Sequence, residues 1–316
     1  MRSRVGVAGL VLAAPALALA GCTDGPDVMA ADLEAVPAVA AAAAEPAGAA
    51  APTRHVGPQG GFGQFVVECE WSHSAPDDPI VHAGHAGMSH RHDFFGNTGT
   101  DADSTPESLL GGDTTCQNQL DTAAYWAPSL LVDGEPVRPT TSTAYYRAAP
   151  GVDPTSVVAF PAGLMVVAGD MTADDTSSQS VDLAGWGCGV SSRQYTTPPD
   201  CPASAPLRGV VTFPDCWDGQ HLDAVDHRSH MANSSGGECP SSHPVHVPQL
   251  TFAVTYPVTG AGNDLALASG ALEGFHSDFV NSWDQEELAR KVELCLQRDA
   301  VCGLSSNRGE EPLFSG

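Results

Sequence analysis

Turn-forming residues break this chain into short pieces, and that limits what it can fold into. From about residue 59 onward, Gly, Pro, Ser, Thr, Asp and Asn recur every 8 to 15 residues. Between them lie FGQFVVECEW (62–71), AYWAPSLLVDG (124–134), VVAFPAGLMVVAGD (157–170), LRGVVTFP (207–214), PQLTFAVTYPV (248–258) and DLALASG (264–270). Runs of this length, rich in Val, Phe, Tyr and Leu and bounded by turn residues, are strand signals. The expectation is a mainly β domain of antiparallel, sandwich-like sheets, with long loops and few helices. The His-rich stretches described below fall among those loops. One helix has support. Ser282 can cap it, with Gln285 three residues on completing a capping box. Leu288, Val292 and Cys295 follow at i, i+4 and i+7, which predicts a helix packed by that face through residue 298.

The N-terminus carries an address. Arg2 and Arg4 precede an apolar run, Val5 to Ala20, as in a secretory signal peptide. It ends in Leu19-Ala20-Gly21-Cys22, the pattern of a bacterial lipobox, in which Cys22 would carry the lipid. The expected organisation is a lipoprotein signal peptide over 1–21 and an Ala/Pro-rich tether over 22–58. A folded domain over 59–303 and a flexible tail over 304–316 complete it. The tether has almost no large apolar side chains to offset its ordering entropy. The protein is therefore expected outside the cytoplasm, on the outer face of a membrane, attached through its N-terminal lipid alone.

Export changes how the cysteines are read. Beyond Cys22 there are eight: Cys69, Cys116, Cys188, Cys201, Cys216, Cys239, Cys295 and Cys302. An even number in an oxidising compartment predicts four disulfides. Only the local pair Cys295–Cys302 stands out by spacing. The formal net charge of −25 leaves no basic face for a phosphate backbone, so a nucleic-acid partner is not expected.

Imidazole and carboxylate are concentrated in two places. VHAGHAGMSHRHDFFGN (81–97) and FPDCWDGQHLDAVDHRSHM (213–231) hold seven of the 12 histidines. His90 and His92 are two apart, so on an extended chain they share a face and Asp93 takes the other. The second stretch offers Trp217, Asp218, His227, Arg228 and His230; Trp217 before Asp218-Gly219 reads as a turn with an exposed indole. A third stretch, FHSDFVNSWD (275–284), carries His276 and Asp278 and echoes the first, with Asn281 answering Asn97.

On these residues the chain resembles the DUF1996 family of secreted fungal and bacterial proteins. SHRHDFFGNT (89–98), AYWAPSL (124–130), FPAGL (160–164), FPDCWDGQHLDAVDHRSHM (213–231), CPSSHPVHVPQL (239–250) and FHSDFVNSWD (275–284) follow in family order over about residues 65 to 296. Arg91 stands where the family commonly has Met. The resemblance implies one exported, disulfide-bonded domain. Some fungal relatives carry attached sugar-binding modules, which points toward polysaccharide as a partner.

Three readings of the site compete. In the leading one, His90, His92, Asp93, Asp218, His227, His230, His276 and Asp278 supply the acid and base groups of a polysaccharide hydrolase or lyase. Trp217, Tyr125, Trp126, Arg228 and Asn97 would then hold the sugar. In the second, a divalent metal sits on His90, His92 and His230, although no motif of fixed ligand spacing is present. In the third, these residues are structural; a carbohydrate-binding module without catalysis is the runner-up to the enzyme. For any single histidine, hydrogen bonding to buried backbone is the ordinary role. The first two readings expect the stretches to converge on one cleft.

Overall fold

A computed structural model describes residues 63–260 and 262–303. The expected signal peptide, tether, Cys22 and C-terminal tail lie outside the described residues.

Ten strands form one sheet: β1 (Gln64–Ala75), β2 (His92–Gly96), β3 (Ala124–Pro128), β4 (Thr141–Arg147), β5 (Met165–Ala168), β6 (Ala184–Cys188), β7 (Leu207–Thr212), β8 (Gln249–Thr255), β9 (Ser277–Val280) and β10 (Val301–Cys302). Their order is β5-β9-β3-β2-β1-β4-β8-β7-β6, with β10 beside β1. Every pairing is antiparallel except the short parallel one between β1 and β10. Two further three-stranded sheets are small; one joins Cys216–Trp217 to Met231–Ala232 and Val245–His246.

The long first strand lets this sheet close over itself. Residues 64–70 pair with β4, while residues 71–75 pair with β2, and the register slips between Trp71 and His73. A bulge of this kind bends the strand and sharpens its twist. The two halves then face each other across the core. The Phe252 ring of β8 lies 5.7 Å from Phe95 of β2 and 5.3 Å from Tyr125 of β3. The mainly β, antiparallel, sandwich-like architecture is as expected.

A second apolar cluster covers the other side of β2, β3, β5 and β9: Ile80, Phe94, Leu109, Ala124, Trp126, Val167 and Val280. Every residue of β2, β3 and β9 is buried as a result. Strands buried on both faces lose the alternation of apolar and polar residues. The His-rich stretches are loops over 81–91 and 218–230, as expected, but His92 and Asp93 lie on β2, and Asp278 on β9.

The expected helix forms over Gln285–Lys291 and continues as a π-helix over Val292–Gln297, burying Leu288, Val292 and Cys295. Its cap differs. Asp284 accepts from the Glu287 amide at 2.9 Å, whereas the Ser282 hydroxyl is drawn to the Thr122 carbonyl at 2.6 Å. Four disulfides form, Cys69–Cys116, Cys188–Cys201, Cys216–Cys239 and Cys295–Cys302. Among the described residues no helix is long and apolar enough to cross a membrane.

Candidate metal centre

The site is built on the outer face of the β2-β3-β9-β5 half. Cross-strand register aligns Phe94, Trp126, Asp278 and Val167. His92 precedes Phe94 by two residues and His276 precedes Asp278 by two, so strand periodicity points both to that same face. The segment leading into β2 lies over it. Ile80 packs into the outer apolar cluster, and Asp78 holds the turn there by accepting from the Ile80 and Val81 amides, each at 2.9 Å.

Three imidazoles meet at this place. The His90 ring lies 4.2 Å from that of His92 and 5.1 Å from that of His276, centroid to centroid. One ring nitrogen from each lies within 4.8 Å of the others. Two of the rings have fixed tautomers. His92 Nδ1 is 2.9 Å from the Asp77 carbonyl, and His276 Nδ1 is 2.8 Å from the Gly274 carbonyl. A carbonyl only accepts, so Nδ1 carries the proton and Nε2 keeps its lone pair. The Nε2 atoms of His90 and His92 are buried without a hydrogen-bond partner. Burial holds the imidazoles of His90 and His276 down at about 4 and that of His92 well below its ordinary value. All three are neutral near pH 7, the form in which imidazole donates to a metal.

Carboxylates complete the surroundings. Asp78, His92 and Asp278 form a second triplet of donor atoms within 4.8 Å. Asp278 Oδ1 has no partner. Burial first, and the Asp78 carboxylate second, push the Asp278 carboxyl well above its ordinary range; burial also raises Asp78. A chamber of about 20 Å³ is lined by Asp78, His82, His90, Arg228, His276 and Asp278, among others. It has room for an ion or a water, not for a sugar ring.

The expected convergence is therefore partial. His90, His92, His276 and Asp278 come together, and Arg228 reaches them from the second stretch. Asp218, His227 and His230 line a neighbouring cleft of about 650 Å³ with His221 and Asp223. There His221 pairs with Asp218 at 2.6 Å and His227 with Asp223 at 2.8 Å.

Other expectations are corrected. His230 is not the third imidazole: it lines the neighbouring cleft and does not enter the group of donor atoms that His90, His92 and His276 form. Asp93 takes the opposite face, as its spacing predicts, where Ser74 donates to it at 2.5 Å, so it does not join the expected catalytic groups. The aromatic platform is absent because those rings are buried. Trp217 is 3% exposed and donates its indole N–H to the His221 carbonyl. Trp126 sits in the outer apolar cluster. Tyr125 lies in the core, its hydroxyl 2.9 Å from the Asp121 carboxylate. Asn97 spends its amide on the Leu109 and Thr122 carbonyls. Sequence reasoning missed Asp78; its position beside Asp77 and four residues before His82 was the available signal.

Two other clusters of donor atoms, Cys216-Cys239-His246 and Cys69-Cys116-Asp121, are not sites, since their thiols are spent in disulfides. Among known protein families, the one described as "Domain of unknown function (DUF1996)" matches residues 78–283, a span that begins at Asp78 and includes every residue of the cluster. No curated protein and no solved structure matches the chain.

Proposed function

The chain belongs to the DUF1996 family, and from that premise we propose that its domain is an exported metal-binding domain holding one divalent transition-metal ion on His90, His92 and His276. The observation that carries the reading is the approach of three neutral imidazoles to within 4.8 Å, two of them oriented by backbone carbonyls. Metal-ligating histidines almost always give their second ring N–H to such an acceptor. Neutral nitrogen ligands suit zinc or copper, and the nearby carboxylates extend the choice to manganese. Zinc–nitrogen bonds of about 2.0–2.1 Å in tetrahedral geometry require donor nitrogens roughly 3.4 Å apart, so the rings would draw inward on binding. Three protein ligands leave a fourth position for water or substrate. Asp278 and Asp78 then serve to offset the ion's charge in a buried place.

The domain would stand on the outer face of a membrane through Cys22. Exported polysaccharide is the substrate class this reading keeps, with the ion acting as a Lewis acid. A carbohydrate-binding role by aromatic stacking loses its support, because Trp217, Tyr125 and Trp126 are buried.

The test is metal analysis of the mature protein loaded separately with zinc, copper and manganese and then dialysed. Near one ion per chain is expected for at least one metal, falling to a small fraction in the double variant His90→Ala/His276→Gln. Negligible metal with all three, or equal occupancy in the variant, would refute the reading. A polysaccharide screen of the loaded protein, with the same variant as control, decides whether the centre is catalytic.

A further inference from the structure

Arg228 borders two cavities. It lines the chamber of about 20 Å³ with His90, His276 and Asp278. It also lines a cleft of about 340 Å³ with Gly169, Asp170, Gln179, Thr212 and Asn233. That volume falls within the range of about 300–1,000 Å³ common to small-molecule sites. The guanidinium donates from one terminal nitrogen to the Gly169 carbonyl at 2.8 Å and from the other, weakly, to the Val167 carbonyl at 3.5 Å. With five N–H donors, it keeps capacity for a further acceptor.

Its charge acts on the Asp170 and Asp278 carboxyls without pairing directly with either. Among the described residues Arg228 makes no ion pair. Asp170 lines the same cleft, but its carboxylate is held by the amide and hydroxyl of Thr172 at 2.9 and 2.7 Å. This is a chain with 38 acidic residues against 13 basic ones. A guanidinium beside a cation-binding chamber needs negative charge near both; Asp78 and Asp278 supply it on the chamber side, and the 340 Å³ cleft that Arg228 also lines is open to a further anion.

We propose that Arg228 is an anion receptor, which takes a single carboxylate of a small ligand lying in the 340 Å³ cleft and presents it to the ion held by His90, His92 and His276. The proposal rests on the metal-binding reading. A planar carboxylate matches the guanidinium fork. Phosphate fits less well, because a second negative charge would meet Asp170, Asp78 and Asp278. The strongly negative chain likewise favours a ligand with one isolated carboxylate over a dense polyanion.

Cobalt(II)-loaded mature protein can be titrated with glucuronate, acetate and inorganic phosphate while its visible absorption is followed. Glucuronate should alter the spectrum and bind more tightly than phosphate. Arg228→Gln should keep the same cobalt content and bind glucuronate about 10- to 100-fold more weakly, the cost of losing one charge-assisted contact. Equal glucuronate affinity in the variant, tighter binding of phosphate, or no response to any anion would each overturn the proposal while the metal reading stands. Failure of both proteins to retain cobalt would overturn the metal reading. Calorimetry of glucuronate with the metal-free proteins then decides Arg228: binding that is lost in the variant supports the receptor, and no binding to the parent rejects it.

Discussion

The Cys69–Cys116 bond closes a loop of sequence separation 47, and inside that loop lie Asp78, His90, His92 and all of β2. Replacing both cysteines by alanine opens it without leaving a free thiol. The loop-closure entropy for this separation is about 14 cal/mol/K, or roughly 4 kcal/mol at 25 °C. That is a large share of the ~5–15 kcal/mol typical of a folded domain. The native path should survive the change, because backbone bonds from Gln117 to Glu68 (2.8 Å) and from Glu70 to Thr115 (3.3 Å) hold the same strands together. Urea unfolding followed by tryptophan fluorescence reports on one core, since Trp186, Trp217 and Trp283 all pack in it. With a slope of about 2–3 kcal/mol/M, the midpoint should fall by roughly 1.3–2 M at an unchanged slope. Opening Cys295–Cys302, of separation 7, should cost less, at about 2.4 kcal/mol. A loss below ~1 kcal/mol for the first pair, or a larger loss for the second, would refute the loop-entropy argument. The first pair, unlike the second, should also weaken metal retention, because its loop carries two of the three imidazoles.

Other outcomes can be checked on the same protein. Saturating metal at 100 times its Kd should add about 2.7 kcal/mol, and thus raise the melting temperature by roughly 5–11 °C, with no such shift in His90→Ala/His276→Gln. Burial pushes the Asp121 carboxyl well above its ordinary value, although Tyr125 and the Ala123 amide bond to it. A raised folded value means that the stability from its protonated form is full below the ordinary carboxylate range and is lost as pH rises through the folded value. Asp121→Asn has no proton to lose, so its melting temperature relative to the parent should rise from about pH 5 to about pH 8; a constant difference would reject this. A Cβ at Gly209 would sit 2.4 Å from the Phe275 ring, which is itself wedged 4.8 Å from Trp186. Gly209→Ala should therefore cost about 1–3 kcal/mol in urea unfolding, and a neutral result would show that the ring can retreat.

What the sequence determined by itself was local or arithmetic. Turn residues at short intervals limit strand length, so the β character was legible from 64–75, 207–212 and 249–255. An even number of cysteines beyond Cys22 predicted the four bonds, and only the pair at separation 7 could be assigned, because its loop is short enough to read. A spacing of two puts His90 and His92 on one face of any extended chain, and that too needs no neighbours.

Tertiary structure decided the rest. β2, β3 and β9 are buried on both faces, so they carry no alternation, and His92, Asp93 and Asp278 were expected in loops. The same double burial turned Tyr125 and Trp126 from expected sugar contacts into packing residues. His276 joins His90 and His92 because the sheet places β9 two strands from β2, with β3 between. No spacing along the chain encodes that order; it follows from which strands bury the most apolar surface against one another. Asp78 enters only because Ile80 anchors its turn over the outer face. His230 was set aside for the converse reason: its ring bonds the Met165 carbonyl, a residue far off in the chain and beside it in the fold, in the neighbouring cleft and outside the group of three imidazoles.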